Sequence, residues 1–185
     1  EMLSVIGSVL TNKYSEGYAG KRYYPGNAVY DDIEKLAQER IRKLFRLGKD
    51  WHVNVQPHSG SSANMAVYLA LMQPGETFVG MALAEGGHLS HGHRVSATGR
   101  LFRSVHYGLD TDGILDYAEA MRLLEAHKAK VVVSGATSYP RKIDFARFGT
   151  IAKKTGAYHV ADISHIAGLV AAGLHPSPFP HADVV

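Results

Sequence analysis

Asp162 lies in the run Val160-Ala161-Asp162-Ile163, where a buried strand has no use for a charge. An ionised carboxylate is rarely buried unless something cationic pairs with it. His165 follows three residues later. The pair is compatible with a metal site, a catalytic dyad, a clamp on a cationic ring, or an Asp that caps the Ser164–Leu169 segment. A second candidate is 57-PHSGSSANMAV-67, small residues running into a helix. Gly60 lets the backbone approach closely, and Ser59, Ser61 and the first helical N–H groups offer donors where the helix dipole favours an anion. The stretch reads as a phosphate cradle or as an ordinary Ser-capped helix start.

The loop 86-GGHLSHGHR-94 carries His88, His91 and His93. Imidazoles suit a metal, but no Glu-rich helix accompanies them, and the glycines suit a loop that approaches something flat. A cofactor or substrate loop, a metal site and a plain loop all fit, and no metal ligands are assigned. The stretch 12-NKYSEGYAGKRYYPG-26 holds four tyrosines within eleven residues, with Glu16 among them. Its Gly17-to-Lys21 piece lacks the spacing and the trailing Ser/Thr of a P-loop, and no G-x-G-x-x-G follows a strand. The tyrosines bring phenols for phosphate contact and rings for packing or for an interface.

These residues need a frame to hold them. Spacings of three and four in Ile33, Leu36, Ala37, Ile41, Leu44 and Phe45 predict a helix over 31–47, and a second is predicted over 62–71. Beyond it the pattern alternates. Apolar runs at 77–83, 101–107, 131–133 and 158–163 read as strands, and 116–127 and 144–155 as helices. That alternation indicates a mostly parallel α/β sheet flanked by helices. Ligands of such sheets bind beyond the carboxyl ends of the strands, where Asp162 and the loop at 134–137 fall.

The 185 residues are 45% hydrophobic and 20% charged, the balance of an ordinary globular domain. The net charge of +3 is spread along the chain, which gives little support to nucleic-acid binding. No apolar run has the length of a membrane span, and the first residues lack the basic start of a signal peptide. The chain has no cysteine, which excludes disulfides and thiolate metal sites and accords with a cytoplasmic setting.

Taken in order, NKYSEGYAGKRYYPG, VQPHSGSSAN, GGHLSHG and the stretch from Asp162 to Gly173 resemble the serine hydroxymethyltransferase family over nearly the whole chain. The resemblance implies the large domain of a fold type I, aspartate-aminotransferase-like enzyme dependent on pyridoxal 5'-phosphate (PLP), acting on serine, glycine and tetrahydrofolate as a homodimer or higher oligomer. It implies that Tyr14 meets the cofactor phosphate across the subunit boundary, joined by Ser59, Gly60 and Ser61. By the same resemblance Glu16 handles the proton of the serine hydroxyl, and Tyr24 lies near the substrate carboxylate. His88 would lie over the cofactor ring, with Thr137 and His165 near it and Asp162 at the pyridine nitrogen. Leu83, Gly87 and Leu89 would meet the folate.

Thr137 stands where the family usually has Ser, and Glu85 stands where His is frequent. Residues 1–30 are expected to form a Tyr/Gly-rich intersubunit segment and 31–185 a partial PLP-binding domain. The family's Schiff-base lysine and small C-terminal domain are expected beyond Val185, so this chain alone is expected to be inactive. A degenerate binding module and a related PLP lyase such as a threonine aldolase are the alternatives. Retention of Tyr14, Glu16, His88 and Asp162 opposes the first, and the folate-matching residues oppose the second.

Overall fold

One guanidinium organises the first part of the chain. In the computed structural model, which describes all 185 residues, two compact units form, Glu1–Gln56 and Pro57–Val185. The first holds helix α1 (Met2–Ile6), a hairpin of β1 (Gly17–Tyr18) and β2 (Lys21–Arg22), and helix α2 (Ala28–Phe45). Strands of two residues do not hold themselves together. Arg22 does it for them. Its Nε meets Asp31 Oδ1 at 2.8 Å and its terminal nitrogens donate to Glu34 at 2.6 Å, to Ser15 O at 2.7 Å and to Gly17 O at 2.6 Å. The Gly20 N–H takes the other oxygen of Asp31 at 2.7 Å. Those carboxylates hold the guanidinium above its ordinary range, and Arg22 and the Gly20 N–H hold the Asp31 carboxyl below its own. α2 starts three residues before the predicted Asp31, with Asn27 at its N-cap and Asp31 in its first turn.

The second unit follows the predicted alternation. Helix α3 (Gly60–Leu71) leads to β3 (Thr77–Met81), α4 (Ala97–Leu101) to β4 (Arg103–Tyr107), α5 (Tyr117–His127) to β5 (Val131–Ser134), and α6 (Phe145–Thr155) to β6 (Tyr158–Ala161). A short helix α7 (Ala167–Ala171) follows. The four strands are parallel in the order β4-β3-β5-β6. Both faces are covered, which is why Val131-Val132-Val133 carries no polar alternation. Tyr68 and Met72 of α3 pack on Phe78, Phe102, Val131, Val133 and Val160. On the α5 and α6 side, Tyr107 and Tyr117 set their rings against Phe148. Val184 forms an isolated parallel bridge with Val160 of β6. No helix is long and apolar enough to cross a membrane.

Helix α4 was not foreseen; the sequence reading placed Leu101 in the following strand. Its function is to pin the histidine loop. Thr98 Oγ1 donates to Ser90 O at 2.8 Å and accepts from the Gly92 N–H at 3.2 Å. A Cβ on Gly99 would stand 2.3 Å from His93 O, so only glycine allows the helix this close to the loop. Glu85, which the sequence left without a role, accepts the Leu109 N–H and so joins the turn after β3 to the segment after β4.

His159 sits fully buried in β6. Its Nδ1 donates to His181 O at 2.8 Å and its Nε2 accepts from Ser134 Oγ at 2.7 Å, the arrangement of a neutral ring. Burial pushes this imidazole below its ordinary value, against the opposing pull of the His181 carbonyl and Asp183. The stability it contributes is therefore complete above the unfolded histidine pKa, about 6.5, and is lost as pH falls through the lower folded value. The melting temperature of the full-length protein should drop between pH 7 and pH 5, and His159→Gln should flatten that drop. A slope unaltered by the substitution would contradict this.

Candidate functional site

At the carboxyl ends of β5 and β6 lies a cleft of about 230 Å³. Ser59, Gly60, Ser61, His88, Thr137, Asp162 and His165 all line it, together with Asn64, His91 and Ser164. Seven of the residues singled out in the sequence thus converge on one opening, although they come from four separate stretches of chain. Sheet topology brings them there. Asp162 follows the last residue of β6, and Thr137 follows β5 by three positions. A Cβ on Gly135 would meet Asp162 O at 2.2 Å, and its φ of +144° is one that side chains rarely adopt, so glycine is needed for these two loops to touch.

The start of α3 forms one wall. Ser59 Oγ accepts the Ser62 N–H at 3.4 Å, and Ser62 Oγ accepts the Ser59 N–H at 3.3 Å, a reciprocal cap. The N–H groups of Gly60 and Ser61 have no intrahelical partner and stand at the positive end of a twelve-residue helix. The stretch is a Ser-capped helix start whose first N–H groups remain as donors that an anion could use. Thr137 is fixed from behind, its N–H donating to Gly86 O at 2.7 Å.

Asp162 is the centre of the polar network. Oδ2 accepts from Asn64 Nδ2 at 3.0 Å and from His91 Nε2 at 2.9 Å. Oδ1 accepts from the Ser164 N–H at 3.0 Å and from Ser164 Oγ at 2.5 Å. Burial alone would push this carboxyl up. The hydrogen bonds from His91, Ser164 and Asn64 outweigh it and hold the group well below the usual carboxylate range. His91 is itself held by Tyr68, whose hydroxyl lies 2.6 Å from Nδ1. Burial raises the Tyr68 phenol well above its ordinary value, so it keeps its proton. That proton needs an acceptor, and His91 Nδ1 provides it. The ring then has a hydrogen on Nε2, facing Asp162.

Tyr14, Glu16 and Tyr24 belong to the Glu1–Gln56 unit. Tyr14 is 74% exposed and its ring lies 6.3 Å from that of Tyr24, and Glu16 shares a hollow with Tyr14, Arg22 and Glu34. Leu83 lines an adjoining hollow with Met81, His93 and His106, which shares His88 and His91 with the cleft. Leu89 is 46% exposed, and Gly87 is buried in the turn. No three His, Cys, Asp or Glu side chains converge as a metal would require.

Sequence reasoning missed Asn64, Tyr68, Ser90 and Ser164, and weighed His91 only as a metal ligand. A signal was available for two of them. Gly60, Asn64 and Tyr68 recur every four residues, one face of the helix that starts at the anion cradle. Replacing Tyr68 with Phe leaves His91 Nδ1 buried without a donor. The expected cost is about 1–3 kcal/mol in denaturant unfolding of the full-length protein, with the fold retained; no measurable loss would mean that the Tyr68–His91 bond contributes nothing.

The family model described as serine hydroxymethyltransferase matches residues 1–185. Curated relatives named serine hydroxymethyltransferase include those of Xanthomonas axonopodis pv. citri (strain 306), 58% identical over 184 residues, and of Xanthomonas campestris pv. campestris (strain B100), 57% identical over 184 residues. Each match takes in 100% of this chain and 43% of the relative, so the chain spans less than half the length of these proteins. The parallel sheet with helices on both faces agrees with the fold type I architecture expected from the sequence. On the family match and these identities, the chain belongs to the serine hydroxymethyltransferase family.

Proposed function

We propose that the protein to which this chain belongs is a PLP-dependent serine hydroxymethyltransferase, which moves the hydroxymethyl carbon of serine to tetrahydrofolate, giving glycine and 5,10-methylenetetrahydrofolate. The observation that carries this reading is Asp162. It is a largely buried carboxylate with four hydrogen bonds, brought by Asn64, His91 and Ser164. No Lys or Arg pairs with it. A buried charge of this kind favours a cationic ligand, and a protonated pyridine nitrogen is one.

The rest of the cleft fits the same group. Gly60 and Ser61 offer N–H donors and Ser59 and Ser61 hydroxyls for a phosphate. His88 offers a flat ring, and Thr137 and His165 offer polar atoms for the ring substituents. When bound, PLP supplies an electron sink for bond cleavage at the substrate α-carbon. Asp162 holds the proton on the ring nitrogen by favouring its cationic form. His88 would offer its ring to orient the cofactor. Glu16 takes or gives the proton of the serine hydroxyl, Tyr24 binds near the substrate carboxylate, and Tyr14 reaches the phosphate of a second subunit. Leu83, Gly87 and Leu89 bind the folate. The assembly is a homodimer or larger, a reading supported by the exposed Met2, Leu3, Tyr14 and Tyr23. Its setting is the cytoplasm, in accord with the absence of cysteine.

The test is on the full-length protein. PLP should bind with a visible absorbance band, and serine cleavage should depend on tetrahydrofolate. Asp162→Asn should retain the fold and lower kcat at least ~100-fold, as expected for a partner-charge loss of several kcal/mol. Serine turnover indifferent to tetrahydrofolate, or to that substitution, would overturn the assignment.

A further inference from the structure

Asn64 lies between the two groups that the proposed function sets on the cofactor, and it touches both networks. Its Nδ2 carries two hydrogens. One goes to Asp162 Oδ2 at 3.0 Å and the other to Ser90 Oγ at 2.9 Å. Ser90 Oγ stands 2.8 Å from His88 Nδ1, and the Ser90 N–H donates to the same nitrogen at 3.1 Å. We propose that Asn64 is a positioning residue which, through Ser90, fixes the proton of His88 on Nε2 and ties that choice to the charge on Asp162.

The directions of these bonds follow from donor counting. An ionised Asp162 has only lone pairs to offer. Turning the Asn64 amide over would set its carbonyl oxygen against the carboxylate, acceptor to acceptor. The charge therefore fixes which end of the amide faces it. Ser90 Oγ then receives the second Asn64 hydrogen. Ser90 is buried, so its own proton needs an acceptor, and His88 Nδ1 is the one within reach. Two donors from Ser90 converge on that nitrogen, so it holds a lone pair. The hydrogen of the neutral ring is left on Nε2. Thr98 Oγ1 anchors the Ser90 carbonyl from below, which keeps the serine from swinging away.

The chain of bonds runs Asp162, Asn64, Ser90, His88, with every hydrogen assigned by the carboxylate at its start. His88 thus meets a ligand as a ring of fixed tautomer with a donor on Nε2. The inference rests on the proposed function only for what His88 does to the cofactor; the tautomer itself is a property of this chain.

Nitrogen NMR of the full-length protein labelled with 15N-histidine tests it, the His88 signals being assigned by their loss in His88→Gln. The wild type should show an unprotonated Nδ1 and a protonated Nε2 before PLP is added. Asn64→Leu should produce a mixture of tautomers and weaken PLP binding about tenfold or more. Ser90→Ala should shift the tautomer partway, since the backbone N–H remains, and Ser90→Thr should restore it. A wild-type Nδ1–H signal, or a tautomer untouched by both Asn64→Leu and Ser90→Ala, overturns the proposal. If the tautomer behaves as stated but the wild type binds no PLP, the proposed function fails and the positioning role stands.

Discussion

A single buried carboxylate sets the terms for the rest of the cleft. Asp162 stays ionised only because Asn64, His91 and Ser164 bring it four hydrogens. Each donor must in turn be held. Asn64 is carried on α3, His91 is braced by Tyr68 of the same helix, and Ser164 lies on the turn that leaves β6. The sheet brings these elements to one end, and the short helix α4 keeps the histidine loop from moving away. An ion in an apolar setting is costly unless every lone pair is satisfied, so the local structure of four chain segments is constrained by one charge.

The same economy of charge appears in the first unit, with the sign reversed. Four of the five guanidinium hydrogens of Arg22 go to Asp31, Glu34, Ser15 and Gly17. It does for a two-residue hairpin what a hydrophobic core does elsewhere. α2 has no buried residue, and its apolar positions Ile33, Leu36 and Leu44 remain substantially exposed. The Glu1–Gln56 unit is thus held more by hydrogen-bonded charge than by burial.

Much of the frame was legible in the sequence because period and punctuation agree there. The apolar run at 131–133 falls within β5, and the helices read over 116–127 and 144–155 each begin on an Asp that caps the helix in the structure. The clustering of Ser59, Gly60, Ser61, His88, Thr137, Asp162 and His165 followed from strand ends in a parallel sheet together with the family resemblance. What was not legible were the residues that act on other residues. Asn64, Ser90 and Tyr68 are polar groups in helical or loop stretches with ordinary packing roles, and nothing in their types announces a partner 98 positions away, as Asn64 has in Asp162. α4 escaped for a related reason. Its five residues include a glycine that lowers helix propensity, and only the contact with His93 O explains why that glycine is there.

Tyr68 joins two parts of the molecule that are usually considered apart. Its ring stacks on Phe78 with centroids 4.6 Å apart, within the hydrophobic cluster, while its hydroxyl ends the chain of bonds that leads to Asp162. The core and the site therefore cannot vary independently. A change of volume at Phe78, Phe102 or Met72, made far from any ligand and neutral by the standards of packing, would tilt the tyrosine ring and move its hydroxyl. For this protein, drift in oil-like residues is also drift in the electrostatics of the cleft.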